Sequence, residues 1–243
     1  MQRRRADLLL VAKGLAASRA QAQAAIEAGG VRADGVTIRK ASDLVAEDAE
    51  LEFTPAHPWV SRGGVKLAHA LATFGVDPAG RICVDVGAST GGFTDVLITL
   101  GAAKVYAVDV GSGQLHPRLA ADARVIVFEN RDARALTRAD IGEAPTLIVC
   151  DVSFIGAAKA LATPLSFAAP RADLIVLIKP QFEAGPGRAD KNGVLPEAVA
   201  RAVADEAVAA LDGLEEFRFV AATDSPIRGG EGNLERLAHF RRT

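Results

Sequence analysis

The sequence predicts a two-part α/β protein: a small α+β module over residues 1–60, then, over residues 61–243, a doubly wound domain on a seven-stranded parallel sheet. Three observations carry that expectation. Apolar runs of four to six Val, Ile and Leu residues alternate with helical stretches through the longer part, the pattern of parallel strands buried on both faces. The first part instead holds two short helical stretches and a hairpin signal. Between them, Pro55 and Pro58 mark a break that ends at Trp59, the only tryptophan in the chain.

Taken in order, residues 5–12 form a leucine-rich helix stopped at Gly14. Ser18 opens a second helix, with Gln21 three residues on as a capping box and Gly29-Gly30 as its end. Asp34-Gly35 then joins residues 31–33 to 36–38, because this pair tolerates the positive φ angles of a tight hairpin turn. Beyond the break, residues 64–74 and 92–100 are expected as helices around strands at 82–86 and 104–108. Further strands are expected at 124–128, 146–150, 174–178 and 217–221, with a seventh at 235–240. Residues 181–193, around Gly185-Pro186-Gly187, have the composition of a mobile insertion after the fifth strand.

With 49% hydrophobic and 24% charged residues, and 23 scattered glycines, the composition excludes disordered, collagen-like and disulfide-scaffold classes. The longest apolar runs fall far short of the ~20 residues that cross a bilayer. Arg3-Arg4-Arg5 looks like the basic head of a signal peptide, but Asp7 and Lys13 interrupt the apolar stretch behind it. Cys83 and Cys150 sit inside apolar runs and are expected as free buried thiols in a reducing cytoplasm. The four histidines lack metal-ligand spacing, so no metal is expected. Net charge is −2, yet residues 1–40 hold eight Lys or Arg against Asp7, Glu27 and Asp34. Residues 43–52 then reverse the sign with five carboxylates. That basic stretch is either the footprint of a phosphate-backbone binder or an ordinary solvated face.

In an open parallel sheet the ligand sits beyond the carboxyl ends of the strands. The strand at 82–86 runs into Asp85-Val86-Gly87-Ala88-Ser89-Thr90-Gly91-Gly92-Phe93, a glycine turn that lets a ligand approach the backbone at a helix N-terminus. The next strand ends at Asp109, twenty-two residues past Gly87, with Val110 beside it; a carboxylate there can accept both hydroxyl protons of a ribose. Together these features specify an adenosine-type ligand. The Gly87-x-x-x-Gly91 spacing lacks the Gly-x-Gly-x-x-Gly of a pyrophosphate site, and Asp85 would repel a diphosphate while suiting a cationic amino-acid group. S-adenosylmethionine therefore fits and NAD does not, with Asp85, Gly87, Ser89, Gly91, Phe93, Asp109, Val110 and Asp151 expected around it. Asp132 is placed either for the adenine amino group or as the N-cap of the residues after it. Asp151 and Lys179 each follow directly on an apolar run that must be buried, which pins two charges at the ligand edge. Lys66 and Glu235 are further ionisable residues at helix or strand ends.

Five motifs in order now carry a resemblance: Ser61-Arg62-Gly63-Gly64-Val65-Lys66-Leu67, the turn from Asp85 to Phe93, Cys150-Asp151-Val152-Ser153-Phe154, Lys179-Pro180-Gln181-Phe182-Glu183 and Gly232-Asn233-Leu234-Glu235. Over essentially the whole chain they resemble the TlyA family, FtsJ-like ribosomal RNA 2′-O-methyltransferases with a Rossmann-like catalytic domain, often labelled haemolysins. The first module is similar to the alpha-L RNA-binding domain of the ribosomal-protein-S-four type at Ser18-Arg19, Ala24, Ile26, Gly30-Val31, Gly35 and Lys40. Pro58-Trp59-Val60-Ser61 resembles the family's interdomain linker, although His57 stands where a basic arginine is expected. Trp59 itself suits a packing anchor or a stack for a base.

The resemblance implies an enzyme that methylates a cytidine ribose in ribosomal RNA of the large subunit, the small subunit remaining open; the cysteines and the short apolar runs point to a cytoplasmic protein without a membrane partner, and a monomer is the default. The short reach of the chain beyond its first helix and last strand favours the large subunit alone. It also implies Lys66, Asp151, Lys179 and Glu235 as a catalytic tetrad, Glu231 competing with Glu235 for the acidic role. Arg4, Arg5, Ser18, Arg19, Arg32, Lys40 and Arg62 are the implied RNA contacts. Lowering a lysine pKa from its usual 10.4 by about three units costs roughly 4 kcal/mol, which burial beside a second ammonium group, Lys66, can supply. Lys179 is accordingly expected as proton acceptor, oriented by Asp151. The alternatives are a membrane-active cytolysin, for which no amphipathic or spanning segment is visible, an NAD-dependent dehydrogenase, and an inactive RNA-binding factor.

Overall fold

The computed structural model describes residues 2–185, 193–229 and 232–243. Most of the expected insertion, from 186 to 192, and Glu231 lie outside the described residues. The chain divides into two compact units, Met1–Pro58 and Trp59–Thr243.

The first unit runs β1 (Arg3–Arg5), α1 (Ala6–Ala12), α2 (Arg19–Glu27), β2 (Val31–Ala33), β3 (Val36–Thr37), β4 (Leu44–Ala46) and β5 (Leu51–Phe53). Asp34 and Gly35 both take positive φ, 48° and 76°, and close the β2–β3 hairpin as their chemistry requires. Two pairings had no sequence signal: β1 lies antiparallel to β4, and β5 adds to β2. Strands of three residues are too short to display an alternation. At α2 the Ser18 hydroxyl accepts from the Gln21 N–H at 3.2 Å, while Gln21 returns its bond to the Ala17 N–H at 2.7 Å rather than to Ser18. Leu9, Leu10, Ala25, Ile26 and Val31 fill this unit's own core.

The second unit continues with α3 (Arg62–Phe74), β6 (Ile82–Val86), α4 (Gly92–Thr99), β7 (Lys104–Val108), α5 (Pro117–Ala120), β8 (Val125–Phe128), β9 (Leu147–Cys150) and α6 (Ala157–Ser166). It ends with β10 (Asp173–Ile178), α7 (Pro180–Glu183), α8 (Glu197–Leu211), β11 (Phe217–Asp224) and β12 (Arg236–Arg242). Seven strands form one sheet in the order β11-β12-β10-β9-β6-β7-β8. From β8 to β10 all neighbours are parallel, but β12 runs antiparallel to both β10 and β11. The all-parallel expectation is thus corrected at β12, because a fully buried apolar run has the same composition whichever way it points.

Successive residues of a strand face opposite sides, and the core follows that rule. Val84, Val86, Ile148 and Val176 pack under α6 and α8, whereas Cys83, Val149 and Ile175 pack under α3 and α4. Both cysteines are free and buried. The chain leaves β6 to build β7 and β8 on one side and β9 and β10 on the other, so the crevice between β6 and β9 is the switch point where ligands bind. The reversal of β12 sets Arg236 opposite Ile178. Glu235 and Lys179 are thereby brought to the same rim from opposite chain directions.

Candidate active site

Two adjoining cavities, of about 640 Å³ and about 160 Å³, open at this rim and share Gly87, Ser89, Asp151 and Ser153. Gly87 has φ 86°, and a Cβ there would lie 2.7 Å from the Asp151 carbonyl oxygen. Only glycine lets the turn after β6 lie against the end of β9. Asp109 lines the larger cavity and accepts from the Ser89 N–H at 2.8 Å and the Gly111 N–H at 2.7 Å. Each of its oxygens keeps a lone pair for a further donor. Val110, 71% exposed, lines the same cavity. Phe93, buried, lines the smaller one, and Gly91 caps α4 without reaching either wall.

Asp132 takes its expected place as a cap, accepting from the Arg134 N–H at 2.9 Å, and it also lines the larger cavity. The Arg134 guanidinium beside it holds the Asp132 carboxyl below the usual range. Asp85 lies elsewhere than on a ligand wall. It is fully buried beneath the turn, Thr94 donates to its Oδ2 at 2.6 Å, and its Oδ1 has no partner. Burial pushes this carboxyl up to about 7, against the Thr94 hydrogen bond and with help from the Asp151 charge.

The four ionisable residues resolve into two ion pairs. Lys179 Nζ lies 2.6 Å from Asp151 Oδ1 and donates to Ser153 Oγ at 2.9 Å. Asp151 Oδ1 is buried and meets Lys179 as an ion pair rather than through an aligned hydrogen bond. Lys66 pairs with Glu235, both buried and on neither cavity wall. Each lysine thus has a carboxylate partner, which offsets the desolvation of the charges.

The expected RNA contacts divide by their partners. Arg62 donates to the Arg228 carbonyl, Arg4 pairs with Glu47 at 3.2 Å, and Arg32 donates to the Gly35 carbonyl at 2.7 Å. Arg5 and Arg19 both meet Asp7, Lys40 is exposed, and the Ser18 hydroxyl is occupied as the α2 cap. Trp59 packs over Gly64, where any Cβ would collide with it. Next to it the Val60 N–H donates to buried Asp95 at 2.9 Å, which also takes both bonds of Arg118 at 2.9 Å. Trp59 thus packs within the second unit.

Phe154 on the wall and Glu129 behind it have no counterpart among the expected site residues, whereas Gln114 belongs to a stretch, Gln114-Leu115-His116, that from the sequence suits either a contact with cofactor or RNA or a surface loop. Phe154 is 89% exposed at φ 67°, tilted against Phe182 with ring centroids 4.9 Å apart, and lines the larger cavity. Its sequence signal is an aromatic residue directly after Asp-Val-Ser at a strand end. Gln114 accepts from the Ser89 hydroxyl at 3.1 Å. Glu129 accepts from three consecutive N–H groups, Gly113, Gln114 and Leu115, at 2.6, 2.8 and 3.0 Å, and so holds that loop.

The comparisons with known proteins agree with this architecture. A profile for FtsJ-like methyltransferases matches residues 59–242, and one for the S4 domain matches residues 4–51. The chain is 44% identical over 236 residues, 96% of its length and 88% of the relative's, to the 16S/23S rRNA (cytidine-2′-O)-methyltransferase TlyA of Mycobacterium tuberculosis. It is 38% identical to Hemolysin A of Brachyspira hyodysenteriae over 97% of this chain and 99% of that one. A solved structure described as a hemolysin from Streptococcus thermophilus superposes with a TM-score of 0.74 at 36% identity, covering 100% of this chain and 90% of that one. With a methyltransferase profile over the whole second unit, an S4 profile on the first and near full-length identity to TlyA, the chain belongs to the FtsJ-like methyltransferase family, in its S4-bearing TlyA branch.

Proposed function

We propose that this protein transfers the methyl group of S-adenosylmethionine to the ribose 2′-oxygen of a cytidine in ribosomal RNA, as a cytoplasmic monomer whose first unit, Met1–Pro58, holds the RNA. The observation that carries the proposal is the Lys179–Asp151 pair, with Asp151 on a wall common to both cavities and Lys179 on the smaller. The name of the Mycobacterium tuberculosis relative supports the substrate and keeps both ribosomal subunits within the proposal.

The residues present fit the cofactor. A cavity of about 640 Å³ suits a ligand of this size, Asp109 offers lone pairs to a ribose diol, and Val110 adds an apolar wall. Gly87, Ser89 and Gly91 shape the turn, Phe93 packs under it, Asp132 serves the adenine end, and Asp85 acts from below through Thr94. Bound there, S-adenosylmethionine supplies an electrophilic methyl group on a sulfonium centre. Asp151, on a wall common to both cavities, offers its carboxylate to the cationic end of the cofactor as well as to Lys179. Lys179 Nζ, held by Asp151 and Ser153, gives up its ammonium proton to solvent first and then, as the neutral amine, accepts the 2′-hydroxyl proton as the oxygen attacks in line. Lys66 and Glu235 balance charge beneath, and the face of Phe154 is open for stacking a base turned out of its helix.

The test is to map 2′-O-methyl groups by nuclease protection in ribosomal RNA from cells with and without the gene. A protected cytidine that vanishes with the gene, returns with purified protein, and is absent when the target ribose lacks its 2′-hydroxyl is the expected result. No calorimetric heat for S-adenosylmethionine, with or without RNA, overturns it. Membrane lysis is not favoured: among the described residues no helix is long and apolar enough to cross a membrane.

A further inference from the structure

We infer that Asp7, in the first unit, is a positioning residue for RNA: it draws the guanidinium groups of Arg5 and Arg19 to one point and presents them as a paired clamp for backbone phosphates. The inference rests on the proposal that this unit binds RNA. Asp7 is completely buried, yet the groups around it are not. Arg5 donates through Nε to Oδ1 and through Nη2 to Oδ2, both at 3.0 Å, a bidentate fork. Arg19 Nη2 reaches the same Oδ2 at 3.1 Å, and Gln23 Nε2 reaches it at 3.0 Å. The Leu8 N–H completes the set on Oδ1 at 2.9 Å. Arg19 and Gln23 are four residues apart on one face of α2, Arg5 closes β1, and Asp7 lies in α1, so three elements converge on one carboxylate.

Burial of an anion under a basic surface needs a reason. Capping α1 would need only the Leu8 bond, and a stabilising ion pair would need one arginine. Here two guanidiniums are engaged while their side chains remain 41% and 58% exposed. The described contacts use two of the donors of Arg5 and one of those of Arg19, out of five on each group. On Arg5 the free donors belong to a planar fork fixed in orientation by two bonds, and Arg19 is tethered beside it by one, which lowers the entropic cost of bidentate phosphate contact. The hydrogen bond from Arg5 holds the Asp7 carboxyl well below the usual carboxylate range, so the anchor stays charged.

Charge and position make opposite predictions, which gives the test its sign. Asp7→Asn raises the positive charge of the module, and electrostatics alone would tighten RNA binding. Binding of the full-length protein to deproteinised large-subunit ribosomal RNA is measured across salt concentrations, below the thermal midpoint of every variant. We expect Asp7→Asn to weaken binding about tenfold and to flatten the salt dependence by between one and two phosphate contacts. Equal or tighter binding overturns the inference. Arg19→Lys keeps the charge at an exposed position and loses only the fork; it should weaken binding about threefold at an unchanged thermal midpoint. If Asp7→Asn does not fold, this variant decides, and unchanged affinity in it overturns the inference. Failure of the unaltered protein to bind this RNA at all overturns the RNA-binding proposal itself, and the inference with it.

Discussion

The two ends of the same sheet both bury charge, and they do so differently. At the amino-terminal edge of β10, Asp173 accepts from Arg81 Nη1 at 2.8 Å and from Arg241 Nε at 2.9 Å, and lies 2.8 Å from His239 Nε2. Phe74 stacks on the imidazole at 5.5 Å. Both carboxylate oxygens are engaged, and the buried His239 Nδ1, which has no partner, lines neither cavity. At the carboxyl edge, Asp151 keeps an oxygen without a hydrogen bond, Lys179 faces a cavity, and Phe154 stands in solvent beside them. A buried charge thus does not by itself mark a working site. What separates the two edges is concavity: Asp151 and Lys179 line the two cavities, and the Asp173 network lines neither.

Substitutions can break this contrast or sharpen it. The largest expected effect is on activity at the cavity edge: Lys179→Met should lower single-turnover methyl transfer about a thousandfold while leaving the fold intact by circular dichroism. Transfer at the unaltered rate would remove Lys179 from the chemistry. At the opposite edge the effect should fall on stability. Asp173→Asn strands Arg81 and Arg241 and should cost about 3 kcal/mol, read as a fall of roughly 6–12 °C in thermal midpoint, with turnover per folded molecule preserved. Burial raises the Asp173 carboxyl, but bonds from His239, Arg81 and Arg241 outweigh it and hold the group well below the usual range. Its contribution is therefore present above the unfolded value near 4 and is lost as pH falls below that, so the gap between Asp173→Asn and the unaltered protein should narrow in acid.

Asp85 titrates in the reverse sense. Its folded value of about 7 lies above its unfolded one, so the charged form penalises the fold increasingly as pH rises from about 4 to 7. Asp85→Asn should accordingly gain about 2 kcal/mol over the unaltered protein at pH 8 and progressively less toward pH 4, measured by denaturant titration. A gap that does not vary with pH would show that Asp85 is already ionised throughout. The smallest effect is expected at Gln114: removing its bond with Ser89 in Gln114→Ala should weaken S-adenosylmethionine binding about threefold by calorimetry, without moving the thermal midpoint.

The same contrast explains what could be foreseen. Asp151 and Lys179 were legible because a lone charge directly after a buried apolar run has few structural explanations. The strand at 82–86 and its glycine turn were legible from local composition. The Asp173 network was not, since its partners Arg81, His239 and Arg241 are distant in sequence and each looks like an ordinary charge near a strand end. Nor was the burial of Asp85, whose place beneath the turn rather than above it depends on how α4 packs. The direction of β12 and the three-residue pairings of the first unit escaped for the reasons of composition and length given above. Asp7 looked like one acidic residue diluting a basic stretch, and nothing local joins it to Gln23 sixteen positions away.

The backward course of β12 has a practical side. Its first residue, Arg236, sits across from Ile178 near the reaction pocket, but its last, Arg242, donates its N–H to the Ala172 carbonyl at 2.9 Å, a full strand's length away. An affinity handle or fluorescent reporter fused after Thr243 would therefore leave the catalytic unit from the edge built by Asp173, where it neither shields the pocket nor competes with an incoming nucleotide.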